Sequence, residues 1–322
     1  MNTPPPDNAV PFTWSGRIDH ETHGDSTRWH QHVQAFTPAS QGGVTLIGFA
    51  VDQGVRRNHG RPGAAEGPHA LRRALANIPV LGEPAVFDAG DITCIDDDLE
   101  TAQTRLAERI ADVAAQGSLP LVLGGGHEVA WGSFQGITRH RPRGERLLIV
   151  NLDAHFDLRA AAVGSSGTPF LQIQQWCQVN GQAFAYQVFG ISRFANTHAL
   201  FERANALGVG YLCDEHLQTP SALEHACHHL RQALDAAHTI YLTICLDVLP
   251  GDLAPGVSAP APLGVPLAHV EMLIDEVLAS RKLIHADIAE LNPALDRDSL
   301  TARVAARLVA RLTRGAASHE AM

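Results

Sequence analysis

The stretch Leu147-Leu148-Ile149-Val150-Asn151-Leu152-Asp153-Ala154-His155-Phe156-Asp157 decides how this chain folds. Its first six residues read as a buried strand, and the apolar run then breaks into Asp153, His155 and Asp157. On an extended backbone side chains alternate, so positions i, i+2 and i+4 lie on one side. Three such groups side by side are costly unless something cationic sits between them. A solvated strand end is the alternative, but the preceding run argues that the segment enters from the core.

Two further apolar runs end in the same manner. Pro120–Leu123 leads into Gly124-Gly125-Gly126-His127, and Thr239–Leu246 leads through Cys245 into Asp247. In an open parallel sheet, groups just past the carboxyl ends of the strands converge on one crevice. His127, Asp153, His155, Asp157 and Asp247 are therefore expected to meet. Two histidines and three carboxylates suit a hard to borderline divalent metal, and a pair of ions better than one. Metal-activated water, and so hydrolysis, is the chemistry this set points to. Each piece has a plainer reading. A glycine run permits close approach of an anion such as a phosphate, although the ending of a P-loop and the spacing of a dinucleotide fingerprint are missing. Asp247 alone reads equally well as a turn cap. Glu290, in Ala289-Glu290-Leu291-Asn292-Pro293, ends a last strand, where it grips a cationic substrate or merely closes a salt bridge or turn.

Outward from these strings, apolar runs alternate with helical patterns. Strands are expected at Val44–Ala50, Ala85–Asp88, Ala185–Phe189, Gly210–Leu212 and 283–289. Helices are expected at Gly67–Ala76, 98–116 with Gly117 as its stop, 128–139, 197–207, 221–237, 267–280 and 298–313. Residues 158–182 read as a loop with a short helix, and 248–265, with four Pro and three Gly, as a rigid loop. This alternation implies an α/β protein with a mostly parallel sheet covered by helices on both faces. Residues 1–41 read as an irregular arm, with Trp14 and Phe36 pinning it to a single domain spanning 42–322.

The chain has 322 residues, of which 45% are hydrophobic and 18% charged, an ordinary globular composition. A net charge of −10 with scattered basic residues excludes a nucleic-acid surface. No stretch approaches the roughly 20 apolar residues that span a bilayer, and the start Met1-Asn2-Thr3-Pro4-Pro5-Pro6-Asp7 does not read as a signal peptide. Five cysteines without paired spacing fit a reduced cytoplasm.

Taken together and in this order, the strings resemble the ureohydrolases, the arginase and agmatinase group, from about residue 44 to the C-terminus. Within that group the chain is most similar to the formimidoylglutamate hydrolases. The strings carrying that likeness include Gly48-Phe49-Ala50-Val51-Asp52-Gln53-Gly54-Val55-Arg56-Arg57-Asn58, Phe156-Asp157-Leu158-Arg159, Ser166-Gly167-Thr168-Pro169-Phe170, Ser192-Arg193-Phe194-Ala195-Asn196-Thr197 and Ala254-Pro255-Gly256-Val257-Ser258. The resemblance implies a three-layer α/β/α fold and two Mn2+ per subunit. His127 and Asp157 would hold one ion, His155 and Asp247 the other, and Asp153 would bridge them. A hydroxide between the ions would then convert N-formimidoyl-L-glutamate to formamide and L-glutamate, a step of histidine degradation. Glu290 would receive the amidinium, and Asp157 would carry a proton to the leaving nitrogen. Arg159, at the rim, would hold a substrate carboxylate bidentately, unless it is merely a surface residue. Ser165, Ser166, Thr168, Arg193 and Asn196 are further candidate substrate contacts. The group is commonly oligomeric, so a homo-oligomer is admitted, although no stretch marks an interface.

The chain departs from the group's pattern in two places. The strand that usually reads Asp-x-Asp has Cys245 at its first position. A thiolate offers one soft sulfur where a carboxylate offers two hard oxygens. Cys245 either ligates and changes metal preference, stays a neutral thiol and weakens one ion, or marks a metal-binding protein that has lost activity. Ser166 stands where arginases and agmatinases carry a histidine thought to shuttle protons. That argues against those two activities and leaves another amidine or guanidine hydrolase as the runner-up.

Overall fold

Nine strands form one sheet in the computed structural model, which describes residues 10–20, 23–141 and 144–317. They are β1 (Gln34–Ala35), β2 (Val44–Ala50), β3 (Val86–Thr93), β4 (Leu119–Leu123), β5 (Leu147–Leu152), β6 (Ala185–Ile191), β7 (Gly210–Cys213), β8 (Thr239–Cys245) and β9 (Leu283–Ala289). Their spatial order is β1-β3-β2-β4-β9-β8-β5-β6-β7, and every pairing between them is parallel. Burial of all six residues of β5 follows from this: a central parallel strand is covered on both faces and needs apolar side chains in both directions.

The helices lie on both faces. Gly67–Leu75, Pro220–Asp235, Leu267–Ala279 and Leu300–Ala317 contribute to one large apolar cluster with Leu46, Leu123, Leu152 and Ile244. Val129–His140, Pro169–Val179 and His198–Ala206 pack on the other face around Ile149, Tyr186 and Val188, and Leu99–Ala115 extends that layer. Asp98 caps the last of these by accepting the Thr101 N–H at 3.0 Å. Gly117, with φ of +71°, ends it as expected. Among the described residues no helix is long and apolar enough to cross a membrane.

The chain order of the strands creates the site. After β4 the chain leaves through the helix Val129–His140 to β5, skipping two places in the sheet that β8 and β9 fill later. The four strands that end in His127, Asp153, Cys245 and Glu290 are consequently neighbours, in the order β4-β9-β8-β5.

Three expectations need correction. The described part of the arm is not wholly irregular, because it carries a four-residue helix, Trp29–His32, and the edge strand β1. Trp29 is fully buried, and a two-residue strand has no period to read. Trp14 and Phe36 do fasten the arm: Trp14 Nε1 donates to Asp88 Oδ2 at 2.8 Å, and Phe36 packs on an apolar cluster that includes Phe49, Ile92 and Leu99. Second, β5 ends at Leu152, so Asp153, His155 and Asp157 stand on a bent loop rather than on extended strand. Third, β8 ends at Cys245, and Asp247 lies in a 3-10 turn, Leu246–Val248.

Candidate metal centre and active site

The glycine run after β4 has a packing reason. A Cβ on Gly125 would lie 1.8 Å from the Val51 carbonyl oxygen, so only glycine lets this turn pass the end of β2. Gly126 N–H donates to that same carbonyl at 3.0 Å, and Gly124 N–H donates to Ile288 O at 2.7 Å. With its backbone occupied, the loop presents His127 rather than an anion cradle. The His127 N–H donates to Glu290 Oε1 at 2.9 Å, and the Glu290 N–H donates to Gly125 O at 2.8 Å. The ends of β4 and β9 are thus tied to each other.

His127 is 1% exposed. Its Nε2 lies 2.9 Å from Thr243 Oγ1. Its Nδ1 is 3.0 Å from Asp153 Oδ2 and 3.0 Å from Asp157 Oδ2, yet makes no hydrogen bond of acceptable geometry. A buried ring nitrogen held between two carboxylates without a hydrogen bond is what a cation site requires. Asp153, fully buried, also accepts Asn151 Nδ2 at 3.0 Å and the His155 N–H at 2.7 Å. His155 Nδ1 is 3.1 Å from Asp247 Oδ2. Two groups of donor atoms result, His127 with Asp153 and Cys245, and Asp153 with His155 and Asp247, and each lies within 4.8 Å. Asp153 belongs to both. Nitrogen and oxygen donors dominate, and Cys245 Sγ is the one soft member.

The electrostatics agree with this geometry. Burial opposes charge on both rings, but Asp153 and Asp157 around His127, and Asp247 and Asp153 around His155, raise both well above the usual histidine range. Burial would lift Asp153, and the His127 and His155 rings beside it overcome that and hold the carboxyl low. Burial, then Asp153, raises Asp157. Burial, then Glu128 and Asp247, pushes Glu290 up to about 8. Burial, then Asp153 and Asp247, keeps the Cys245 thiol well above its usual range. The field that holds protons on the rings is the field that would attract a metal cation. Asp157 and Glu290 have positive φ, +47° and +72°, outside the comfortable region for a side-chain-bearing residue. Backbone strain of about 1–3 kcal/mol each is retained where the surrounding structure dictates the placement.

A cavity opens above the ligands, lined by His127, His155, Asp157, Cys245, Asp247 and Glu290 on its floor and by Asn58, Arg159, Ser166, Asn196 and Ser258 among its walls. Arg159 is exposed, and its guanidinium makes no hydrogen bond or ion pair among the described residues. The other candidate contacts divide. Ser166 faces the cavity. Asn196 reaches its wall, but its amide is spent on backbone, accepting the Phe156 N–H and donating to Ala154 O and Ser192 O. It braces the 154–156 loop. Ser165 and Thr168 form a turn in which Thr168 Oγ1 accepts the Ser165 N–H at 2.8 Å, and Thr168 lines a neighbouring cavity with Arg159 and Gln172. Arg193 pairs with Glu215 at 3.3 Å and is not among the lining residues.

Sequence reasoning missed Asn151, Thr243 and Glu128. The first two carry a signal that was there to be read: Asn151 precedes Asp153 by two, and Thr243 precedes Cys245 by two, so the alternation that marks the ligands extends backward into the strands. Asn151 and Thr243 are register partners, and Asp287 stands opposite Thr243 on β9, completing a polar row beneath the ligands. Ser133 Oγ and Tyr241 OH donate to Asp287 Oδ2. Glu128 is fully buried; its Oε1 accepts the Gly54 N–H at 2.7 Å, and burial lifts it to about 7.

The chain matches the model of the arginase family over residues 43–314. It is 51% identical over 318 residues to a formimidoylglutamase of Ralstonia nicotianae, covering 96% of this chain and 97% of that protein. Among solved structures it is similar to formimidoylglutamase from Bacillus subtilis (TM-score 0.81, 20% identity, 94% of this chain and 96% of that one). It is similar also to Trypanosoma cruzi formiminoglutamase with Mn2+ (TM-score 0.80, 24% identity, 91% and 99%).

Proposed function

The chain belongs to the arginase family, and on that premise we infer that it hydrolyses N-formimidoyl-L-glutamate to L-glutamate and formamide, a step of histidine degradation. The observation that carries the reading to the site is the pair of donor groups sharing Asp153 on the floor of a cavity whose wall holds an unpaired Arg159. The donor set fits manganese. His127, Asp157 and Cys245 would hold one Mn2+ and His155 and Asp247 a second, with Asp153 among the donors of both groups. When bound, the metal supplies acidified water as nucleophile near neutral pH.

The remaining work falls to side chains. Glu290, buried and inclined to keep a proton at neutral pH, becomes a carboxylate when a cationic amidinium sits against it, because an adjacent positive charge favours the ionised form. That pairing orients the formimidoyl carbon toward the ligand floor. Water adds to this carbon, and the bond to the glutamate nitrogen breaks. Asp157, which lines the cavity beside His127, takes a proton from the attacking water and delivers it to the leaving amine. Arg159 offers its planar fork to a substrate carboxylate. Agmatine has no carboxylate to answer it. Five free thiols, four of them buried, support a reducing compartment, and we place the enzyme in the cytoplasm.

The test is product release by purified, manganese-loaded protein offered N-formimidoyl-L-glutamate, arginine and agmatine in parallel. Glutamate and formamide from the first substrate alone are expected. Turnover of arginine or agmatine at a comparable rate would overturn the assignment.

A further inference from the structure

We propose that Asn58 and Arg159 form a two-residue clamp for the side-chain carboxylate of the substrate, with Gly167 as the glycine that lets both side chains lie against one turn. The inference rests on the substrate reading above and goes beyond it in naming the specificity residue opposite the arginine. Asn58 follows the short helix Gln53–Arg57 and lines the same cavity as Arg159. Its backbone N–H is bonded to Gly54 O, but its side-chain amide has no hydrogen-bond partner among the described residues. Gly167 joins the two. A Cβ built on it would lie 2.8 Å from Cδ of Arg159 and 3.0 Å from Oδ1 of Asn58. Cδ of Arg159 and the Asn58 amide therefore lie on either side of one point, and the Arg159 N–H, donating to Gly167 O at 2.8 Å, ties the arginine's backbone to that turn.

With the Asn58 NH2 turned toward the ligand and its Oδ1 away, the amide and the Arg159 guanidinium would present N–H donors with a single positive charge. A carboxylate accepts from both, whereas an amide of the same shape accepts through one oxygen and brings its own donors into conflict with theirs. Arg159 is exposed and also borders the second cavity, whereas Glu290, assigned above to the amidine, is buried. That position selects the distal carboxylate of N-formimidoyl-L-glutamate rather than the one next to the reacting nitrogen.

The experiment compares N-formimidoyl-L-glutamate with N-formimidoyl-L-glutamine in the manganese-loaded wild type and in Asn58→Ala. The clamp predicts that Asn58→Ala raises KM for the glutamate substrate about tenfold, with kcat within about twofold, and leaves KM for the glutamine substrate nearly unchanged. A residue that only capped its helix would shift both substrates equally. Equal shifts, or no shift, would overturn the clamp. Calorimetric binding of glutarate to the same two proteins separates this outcome from failure of the substrate assignment, since it needs no turnover. Glutarate should bind the variant about tenfold more weakly; equal binding would overturn the clamp whatever the enzyme hydrolyses.

Discussion

Cys245 is the residue at which this chain departs most from the pattern it otherwise follows. Its Sγ lies within 4.8 Å of donor atoms of His127 and Asp153, it is 1% exposed, and it lines the floor of the cavity. At that place it offers one soft sulfur, where a carboxylate would offer two hard oxygens. Cys245→Asp should raise Mn2+ affinity by at least about tenfold, the scale on which even groups behind the ligands act. Titration of metal-free protein with Mn2+ measures it. Affinity unchanged by the substitution would mean that position 245 contributes no donor. The identity of His127, Asp153, His155, Asp157 and Asp247 as candidates was legible because each interrupts or ends an apolar run. The bracing role of Asn196 was not, since an amide reads the same whether it meets a ligand or three backbone groups.

At the scale of the element, strand pairing holds the centre rigid. Thr243 on β8 meets Nε2 of His127 at the end of β4, and Asn151 on β5 donates to Asp153. With a cation on Nδ1 of His127, Nε2 would carry the proton and donate to Thr243 Oγ1, so the threonine would select the ligating tautomer. Thr243→Val keeps the shape and removes the acceptor. It should weaken metal binding about 10- to 100-fold and cost about 1–3 kcal/mol of stability from an unsatisfied buried N–H, while Thr243→Ser should restore both. Metal affinity in the valine variant equal to wild type would show that the ring needs no such support. Most strand and helix positions were readable from periodicity to within a few residues, but β3 runs to Thr93, five residues past the expected Asp88, and the short helix Gln53–Arg57 was not foreseen. The local backbone at 153–157 was not, because an i, i+2, i+4 pattern of polar groups also arises on a bent loop. There Asp153 Oδ1 takes the His155 N–H, and Asp157 adopts a positive φ.

The whole molecule supplies what no single string contains, namely adjacency. The apolar runs announced a parallel sheet, and helices between them announced its two covers, but the order β4-β9-β8-β5 follows from tertiary packing alone. Separations of up to 163 residues close in that order, as between His127 and Glu290. The arm shows the same limit in reverse. Trp14 and Phe36 were visible as anchors, whereas β1 pairs with β3 through only two residues, too few to leave a pattern. Neighbouring strand ends are thus proposed to assemble a metal centre around Asp153, which both donor groups contain. Anomalous diffraction from manganese-loaded crystals, recorded on both sides of the manganese edge, tests it most directly. Two peaks are predicted, one contacting His127, Asp157 and Cys245 and the other His155 and Asp247, each within ligand distance of Asp153. A single peak, or manganese away from Asp153, would contradict the account.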